Sequence, residues 1–353
     1  MDDQTSAELQ HHLDAIAKIL YAEANLDPSH NLEDIEKSVR ALTQKHVSPQ
    51  IGFFFLQAHT GTSAGRRRTL TSTLGELTIT SQQAQRLHLP PHSRCSPLLQ
   101  KCCLLLTANE SYQRAEVDLY TLTGVAVSHS TLQRLVHRQE WADPQLPEPL
   151  QTLNLDGGMI RLRTPLGQPC EWREYKAIHA EAHSQMAFFK DNASLLAWVN
   201  AQPWADSVTC LGDGHEGIWS LFAQMGTPQQ RQEVLDWFHL MENAHKVSAT
   251  PEQQNQIRQL LWQGKVKEVM DYLAQQRCRG ESAFRGYLRK HRHRIINYEE
   301  AQAAGRVVGS GAVESLVKQI GLRVKVAGAQ WQASNVPKVL KHRCAYLNGA
   351  FAT

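Results

Sequence analysis

Residues 153–158 read Leu-Asn-Leu-Asp-Gly-Gly, a short apolar stretch that predicts a β-strand and places Asp156 directly before two glycines. A second predicted strand ends in the same way, because residues 208–214 read Val-Thr-Cys-Leu-Gly-Asp-Gly with Asp213 before a glycine. In open α/β sheets, functional side chains gather at the carboxyl ends of the strands. We therefore expect the two acids to meet. We also expect the glycines, which lack a Cβ, to turn the backbone sharply and leave room for a phosphate.

Around Asp156 the sequence predicts three strands in series, followed by alternating helices and strands. The strands are predicted at 153–163, 171–182, 185–189, 208–211 and 233–238. This order is typical of an RNase H-like α/β fold, a five-stranded mixed sheet with flanking helices. In that arrangement the first and fourth strands are neighbours.

Glu314 is a third candidate acid, in the stretch Gly-Ser-Gly-Ala-Val-Glu-Ser at the start of a predicted amphipathic helix. A carboxylate in the first turn is favoured by the helix dipole. Three carboxylates suit hard cations, so Asp156, Asp213 and Glu314 predict a Mg²⁺ site, with Mn²⁺ able to substitute, for phosphodiester chemistry. The alternative for Glu314 is a simple ion pair with Lys318, four residues on. The chain contains no P-loop, HExxH or GxSxG motif.

The rest of the chain divides by composition and periodicity. We predict an N-terminal helical region at 1–48, a DNA-binding region at 49–142, a linker at 143–150, and a catalytic core at 151–250 and 306–353 that is interrupted by a helical insertion at 251–305. The linker has three prolines in seven residues. The DNA-binding region combines a predicted β-hairpin with a helix pair of helix-turn-helix type, for which an ordinary helix pair is the alternative.

Charge is unevenly distributed along the chain. Between residues 277 and 343 there are fourteen Lys and Arg against four Glu, a balance of +10, whereas the whole protein has +3 and the remainder therefore −7. Such asymmetry indicates a polyanionic partner, with a solvated charged face as the alternative. The candidate DNA contacts are Arg66, Arg67, Arg68, Arg134, Arg138, Arg289, Lys290, Arg292, Arg294, Lys318, Arg323, Lys325 and Trp331. Trp331 could stack on an unpaired base or belong to the core.

Composition excludes several classes of protein. Hydrophobic residues make up 42% and charged residues 20% of the 353, and no apolar run is long enough to span a bilayer. We therefore expect no membrane association and a cytoplasmic location. The seven cysteines are scattered and odd in number, which favours reduced thiols. Residues 88–103 hold histidines and cysteines but only one side of a zinc-type pairing.

Four motifs together resemble a known family. The motifs are LNLDGG with Asp156, LGDGHEGIW with Asp213, DWFH from Asp236 to His239, and GSGAVES with Glu314. They are similar to those of DDE transposases of the bacterial ISKra insertion-sequence family, within the RNase H-like integrase superfamily. The resemblance implies that Asp156, Asp213 and Glu314 form a metal-binding catalytic triad. It also implies supporting roles for Asp236 and His239, although Asp236 could instead simply cap a helix.

The same resemblance implies partners and a location. The partners would be double-stranded DNA, as transposon ends and target, and further copies of the chain in a homodimer or larger synaptic assembly near the nucleoid. Family members often carry cysteine pairs around the N-terminal hairpin, where residues 57–60 and 82–85 here have none, so we do not expect an N-terminal zinc. The alternatives are a domesticated DNA-binding protein and an RNase H-like nuclease with the same fold.

Overall fold

The computed structural model describes residues 1–180, 184–276 and 278–351. The chain divides into two compact units, Met1–Val136 and His137–Thr353. Within the described ranges, none of the helices combines the length and the apolar character needed to cross a bilayer.

The first unit is mostly helical and contains one hairpin. Its elements are α1 (Asp3–Glu23), α2 (Leu32–Leu42), a π-helical turn (Thr43–Val47), α3 (Ser48–Thr60), β1 (Arg67–Ser72), β2 (Gly75–Thr80), α4 (Ser81–Arg86), α5 (Pro97–Thr107) and α6 (Tyr112–Thr123), and α7 (His129–Arg138) runs across its end. The predicted hairpin is confirmed, since β1 and β2 pair antiparallel in full register. Thr80 ends β2 and caps α4 through a capping box with Gln83, so strand and helix follow without a loop.

The second unit is built on a five-stranded mixed sheet, as predicted. Its strands are β3 (Leu150–Leu162), β4 (Glu171–Ala180), β5 (Ser184–Phe188), β6 (Trp204–Gly212) and β7 (Arg231–Leu235), in the order β5-β4-β3-β6-β7. The pairs β3/β4 and β4/β5 are antiparallel, whereas β3/β6 and β6/β7 are parallel. The first and fourth strands of the sheet are therefore neighbours, as the sequence predicted. Residues 181 and 182, predicted to end the second strand, lie outside the described residues.

Helices flank this sheet. They are α8 (Asn192–Asn200), α9 (Glu216–Phe222), α10 (Trp237–Ala244), α11 (Pro251–Trp262), α12 (Val266–Gln276), α13 (Glu281–His291), α14 (Tyr298–Ala303), α15 (Gly311–Val324) and α16 (Val336–Leu347). The predicted helical segment corresponds to α11–α14. Its apolar residues belong to the same buried cluster as those of the sheet. Trp237 packs against Trp262 and Tyr298 with ring centroids 4.7 and 5.0 Å apart, which joins this segment to the start of α10.

Candidate active site

The parallel pairing of β3 with β6 brings Asp156 and Asp213 to the same level of the sheet. The last paired residues are Asn154 and Leu211, and each aspartate lies two positions further along its strand direction. Side chains two positions apart point to the same face, and neighbouring strands lie roughly 5 Å apart. Both aspartates are half-buried. Asp156 lies within β3 and Asp213 directly follows β6, and the two are near enough for the charge of Asp213 to raise the pKa of Asp156.

A third aspartate, Asp236, follows the end of β7 in the same row. Its backbone N–H donates to the Gly212 carbonyl at 2.9 Å, so the chain leaves the sheet next to the end of β6. Its carboxylate caps α10: one oxygen accepts the backbone N–H of His239 at 2.7 Å and contacts the His239 Nδ1 at 2.9 Å. The other oxygen accepts the backbone N–H of Ser310. The predicted strand 233–238 therefore ends at Leu235, because this cap starts a helix.

Asp236 and His239 form a polarised pair. Burial of the Asp236 side chain disfavours its charge, but the hydrogen bonds from His239 and Ser310 outweigh burial, and the pKa of Asp236 is lowered. Its hydrogen bond to His239 is the main cause that raises the pKa of this imidazole to about 9, against the opposing effect of burial. The raised pKa favours the protonated, positively charged form of His239 beside the acids.

Glu314 reaches the same centre from the first turn of α15. One ligand-type atom from each of Asp236, His239 and Glu314 lies within 4.8 Å of the others. The Ser310 hydroxyl donates to Glu314 Oε1 at 3.0 Å, and the Lys318 ammonium lies 3.7 Å from Oε2. Since the Lys318 side chain is 78% exposed, this ion pair is weak and leaves Glu314 able to bind another cation.

Asp156 is affected by the charges of the other two predicted triad acids. The pKa of Asp156 is raised, first by burial and further by the negative charges of Asp213 and Glu314. The Gly157 N–H, at 2.6 Å from Asp156 Oδ1, and the charge of His239 oppose this shift. Asp156 is thus held among like charges that its protein neighbours only partly compensate.

This donor set fits a hard divalent cation. Asp156, Asp213 and Glu314 offer carboxylate oxygens, the ligands that Mg²⁺ and Mn²⁺ prefer. A cation there would offset the negative charges that raise the pKa of Asp156 and would favour its charged form. Asp236 fits less well as a ligand, because its two oxygens already accept hydrogen bonds from His239 and Ser310. It is better suited to orienting His239 and the start of α15.

The expected turn after Asp156 is absent, and this prediction was wrong. β3 continues through Gly157 and Gly158 to Leu162. A Cβ on Gly158 would lie 2.2 Å from Cζ of Tyr175, on the adjacent strand β4. The space beside Gly158 is therefore filled by a tyrosine ring of the protein and gives no clearance to a phosphate. Gly214 does turn the chain, with φ +100°.

Sequence reasoning missed Tyr287, which α13 brings to the acidic centre. A Cβ on Gly214 would lie 2.9 Å from the Tyr287 hydroxyl oxygen. Burial raises the pKa of Tyr287, and the negative charges of Asp213 and Asp236 add to this effect. Among the described residues, this buried hydroxyl oxygen has no hydrogen-bond partner. No sequence motif could have pointed to it, because its position depends on how α13 packs against the sheet.

The predicted DNA contacts lie in several settings. Arg66, Arg67 and Arg68 line a groove of the first unit, and Arg134 and Arg138 lie on the exposed side of α7. Arg289, Arg292, Lys318 and Lys325 are exposed in the second unit.

Two cations of the helical segment make ion pairs within the protein. Lys290 pairs with Glu216. Arg294 is half-buried, pairs with Glu233 at 2.7 Å and stacks 4.2 Å over the Trp219 ring. Arg294 therefore joins the helical segment to the sheet.

Arg323 and Trp331 require a correction, because both are buried. The exposed fractions are 1% for Arg323 and 8% for Trp331, and the guanidinium stacks on the indole at 5.0 Å. The Trp331 Nε1–H donates to the Val324 carbonyl at 2.9 Å, and its backbone pairs with Leu162 at the end of β3. A base cannot reach either side chain. Their contacts instead anchor the segment after α15 to the sheet.

Comparison with known proteins adds no assignment. The chain matches none of the family models searched, and no curated protein matches it.

Proposed function

We propose that this protein is a DNA transposase of DDE type, which cleaves and joins phosphodiester bonds with the help of divalent metal ions. The observation that supports the proposal best is that Asp156 in β3 lies near enough to Asp213, after β6, and to Glu314, in α15, for their charges to raise its pKa. Glu314 in turn shares a group of closely spaced ligand-type atoms with Asp236 and His239, and this group does not include Asp156 or Asp213. Because one fold can serve many activities, the chemistry of these side chains supports the proposal more than the fold does.

The strand order supports an RNase H-like core. Across the sheet, the strands follow one another as the third, second, first, fourth and fifth in sequence. The second strand, β4, runs in the opposite direction to the other four. The helical segment α11–α14 then acts as an insertion between the fifth strand and the helix that carries Glu314. This combination agrees with the resemblance of the four sequence motifs to ISKra transposases.

Each residue of the centre has a distinct role in the proposal. Asp156, Asp213 and Glu314 would hold Mg²⁺ or Mn²⁺, which in such sites activates the attacking oxygen and stabilises the leaving oxygen. The His239 imidazolium would donate a hydrogen bond to a non-bridging phosphate oxygen, since it is cationic and beside the acids. Asp236 fixes the orientation and charge of that imidazole. Lys318 would add an exposed positive charge next to Glu314.

The substrates in this proposal are the DNA ends of the element and a target duplex. Exposed cations of α7 and α13, among them Arg138 and Arg289, would neutralise backbone phosphates of the duplex, which gives most of the affinity of such proteins for DNA. Both ends of the element must be joined to the target in one event, so the working form would be a homodimer or a larger assembly.

A strand-transfer assay tests the proposal. Purified protein is incubated with labelled DNA from the flanks of its gene, a target plasmid and Mg²⁺ or Mn²⁺, and joined products are separated on gels. We expect Asp156→Asn, Asp213→Asn and Glu314→Gln to lose cleavage and joining while binding DNA normally. The control is Asp206→Asn, an exposed acid on β6 outside the centre, which should keep full activity.

The outcomes separate the candidate functions. Cleavage without joining, lost in the same three variants, would identify a nuclease. DNA binding without either reaction in the unaltered protein would favour a non-catalytic DNA-binding protein. Activity that survives all three substitutions would refute the assignment of the acids.

A further inference from the structure

The first unit contains a groove of about 910 Å³ between the hairpin and the segment that follows α4. We call it the hairpin groove. Its walls come from β1, from α4 and from residues 88–94. Six cationic or potentially cationic side chains line it: Arg66, Arg67, Arg68, His88, His92 and Arg94.

The charged side chains that line the hairpin groove are all basic. No aspartate or glutamate is among its lining residues. In the part of the chain that the structure describes, none of its four arginines forms an ion pair. A concave surface that collects like charges concentrates their field and attracts anions. Guanidinium groups in addition match phosphate geometry with paired donors.

The same groove has apolar surface beside its cations. Leu89, Pro90, Pro91 and Ala84 contribute to its lining. A small inorganic anion would contact only the arginines and leave this apolar surface exposed. Nucleotides present phosphates together with the faces of sugars and bases, so they match both kinds of surface. Arginine and histidine side chains can also stack on bases.

Residues 88–94 are held in a defined shape at an energetic cost. His88 and His92 have φ of +51° and +63°, in the left-handed region that residues with a Cβ adopt at roughly 1–2 kcal/mol each. Backbone hydrogen bonds fix the segment, since the Thr71 N–H donates to Arg94 at 2.8 Å and the Leu89 N–H to Ala84 at 2.9 Å. Backbone conformations of this kind concentrate at ligand-binding sites.

We propose that the hairpin groove binds a segment of single-stranded DNA. The choice of DNA rests on the proposed function, whereas the choice of a single strand rests on shape. Duplex DNA is bound by helices or strands that project into its grooves, while single strands lie in positively charged grooves of the protein. A concavity of about 910 Å³ is at the upper end of ligand-sized pockets, enough for a few nucleotides of a strand and too small for a duplex.

Fluorescence anisotropy with the full-length protein tests this proposal. The probes are a labelled 20-nucleotide oligo-dT, an oligo-U of equal length and a 20-base-pair duplex, all in EDTA so that no cleavage interferes. The variant is Arg66→Ala/Arg94→Ala, which removes two exposed charges that line the groove, one directly before β1 and one from residues 88–94. The control, Lys18→Ala/Lys45→Ala, removes two exposed charges of the same unit that do not line it.

We expect the groove variant to bind oligo-dT more weakly by on the order of tenfold. Its salt slope should fall by about 1.4, which is 0.7 for each phosphate that the protein no longer neutralises. The control should bind oligo-dT like the unaltered protein, and the duplex should respond little to the groove variant. Ultraviolet cross-linking of thio-substituted oligo-dT should label residues 66–69 or 88–94, which tests the site without any substitution.

Several results would overturn the proposal. They are equal losses for groove and control variants, equal losses for duplex and single strand, or cross-links elsewhere in the chain. Tighter binding of oligo-U than of oligo-dT would assign the groove to RNA instead. Since these measurements need neither metal ions nor catalysis, the strand-transfer assay can fail while the groove succeeds, and the reverse.

Discussion

Replacing Asp236 by alanine should destabilise the second unit far more than the loss of an ordinary helix cap. The cap on α10 contributes about 1 kcal/mol. Its removal also leaves the buried Ser310 N–H without its acceptor, at a cost of about 1–3 kcal/mol. The bond to His239 adds about 1 kcal/mol, a modest value because the histidine side chain is 29% exposed. We therefore expect a loss of roughly 3–5 kcal/mol in the free energy of unfolding.

Urea unfolding followed by tryptophan fluorescence measures this loss. All eight tryptophans lie between residues 141 and 331, so the signal follows the second unit alone. The matched control is Asp191→Ala. Asp191 caps α8 by accepting a hydrogen bond from the Ser194 N–H at 2.9 Å, but it is exposed, so its loss should cost only about 1 kcal/mol.

The difference between unaltered protein and Asp236→Ala should depend on pH. The lowered pKa of Asp236 gives stability that is present above its ordinary value of 3.8 and lost as pH falls through the folded value. The pKa of His239, raised from 6.5 to about 9, gives stability that is complete below pH 6.5 and lost as pH rises towards 9. The difference should be largest between about pH 4 and 6.5. Equal losses for both variants, or no decline from pH 6.5 to 9, would refute the reasoning.

Three further predictions concern other parts of the second unit. Gly214→Ala should lower the stability measured in urea more than Gly167→Ala. Both positions have a positive φ, +100° and +83°, but the new Cβ at position 214 would lie 2.9 Å from a tyrosine hydroxyl, whereas the one at position 167 would have no atom within 4 Å. Trp331→Ala should cost about 3–5 kcal/mol of stability because the indole is buried; reduced affinity for DNA with unchanged urea unfolding would contradict this. Arg289→Ala/Arg292→Ala should reduce the salt slope of duplex binding by about 1.8, measured by anisotropy, and an unchanged slope would exclude phosphate contacts there.

The strand order was predictable because it depends on local patterns. Alternating and apolar runs, separated by glycines and prolines, give the number and sequence of strands, and known rules of sheet pairing then place β3 beside β6. The expectation that Asp156 and Asp213 lie close together followed from that order alone. The pattern at 157–158 was misinterpreted, because a glycine pair signals a turn as readily as it signals a close neighbour. Here the neighbour is Tyr175, which no local pattern reveals.

The remaining features depend on contacts between distant parts of the chain. Ser310 and Asp236 are 74 positions apart, and only the packing of the helices between them decides that they share a hydrogen bond. Tyr287 reaches the acidic centre for the same reason. The burial of Trp331 was left open because residues 328–335 show neither helical nor strand periodicity. Its partners, Leu162 and Arg323, come from two other elements.

The shared core of the sheet and α11–α14 has a consequence for the newly synthesised chain. The pairing of Asn154 with Leu211 and the bond between Asp236 and Ser310 both connect positions far apart in sequence, and contacts of that kind slow folding. Until the ribosome has synthesised α15 and released it, the nascent chain lacks Glu314, and the apolar surface of the sheet that α15 covers stays exposed. The acidic centre therefore forms late, as a property of the completed unit, and fragments that stop before Gly311 should aggregate rather than form a smaller working domain.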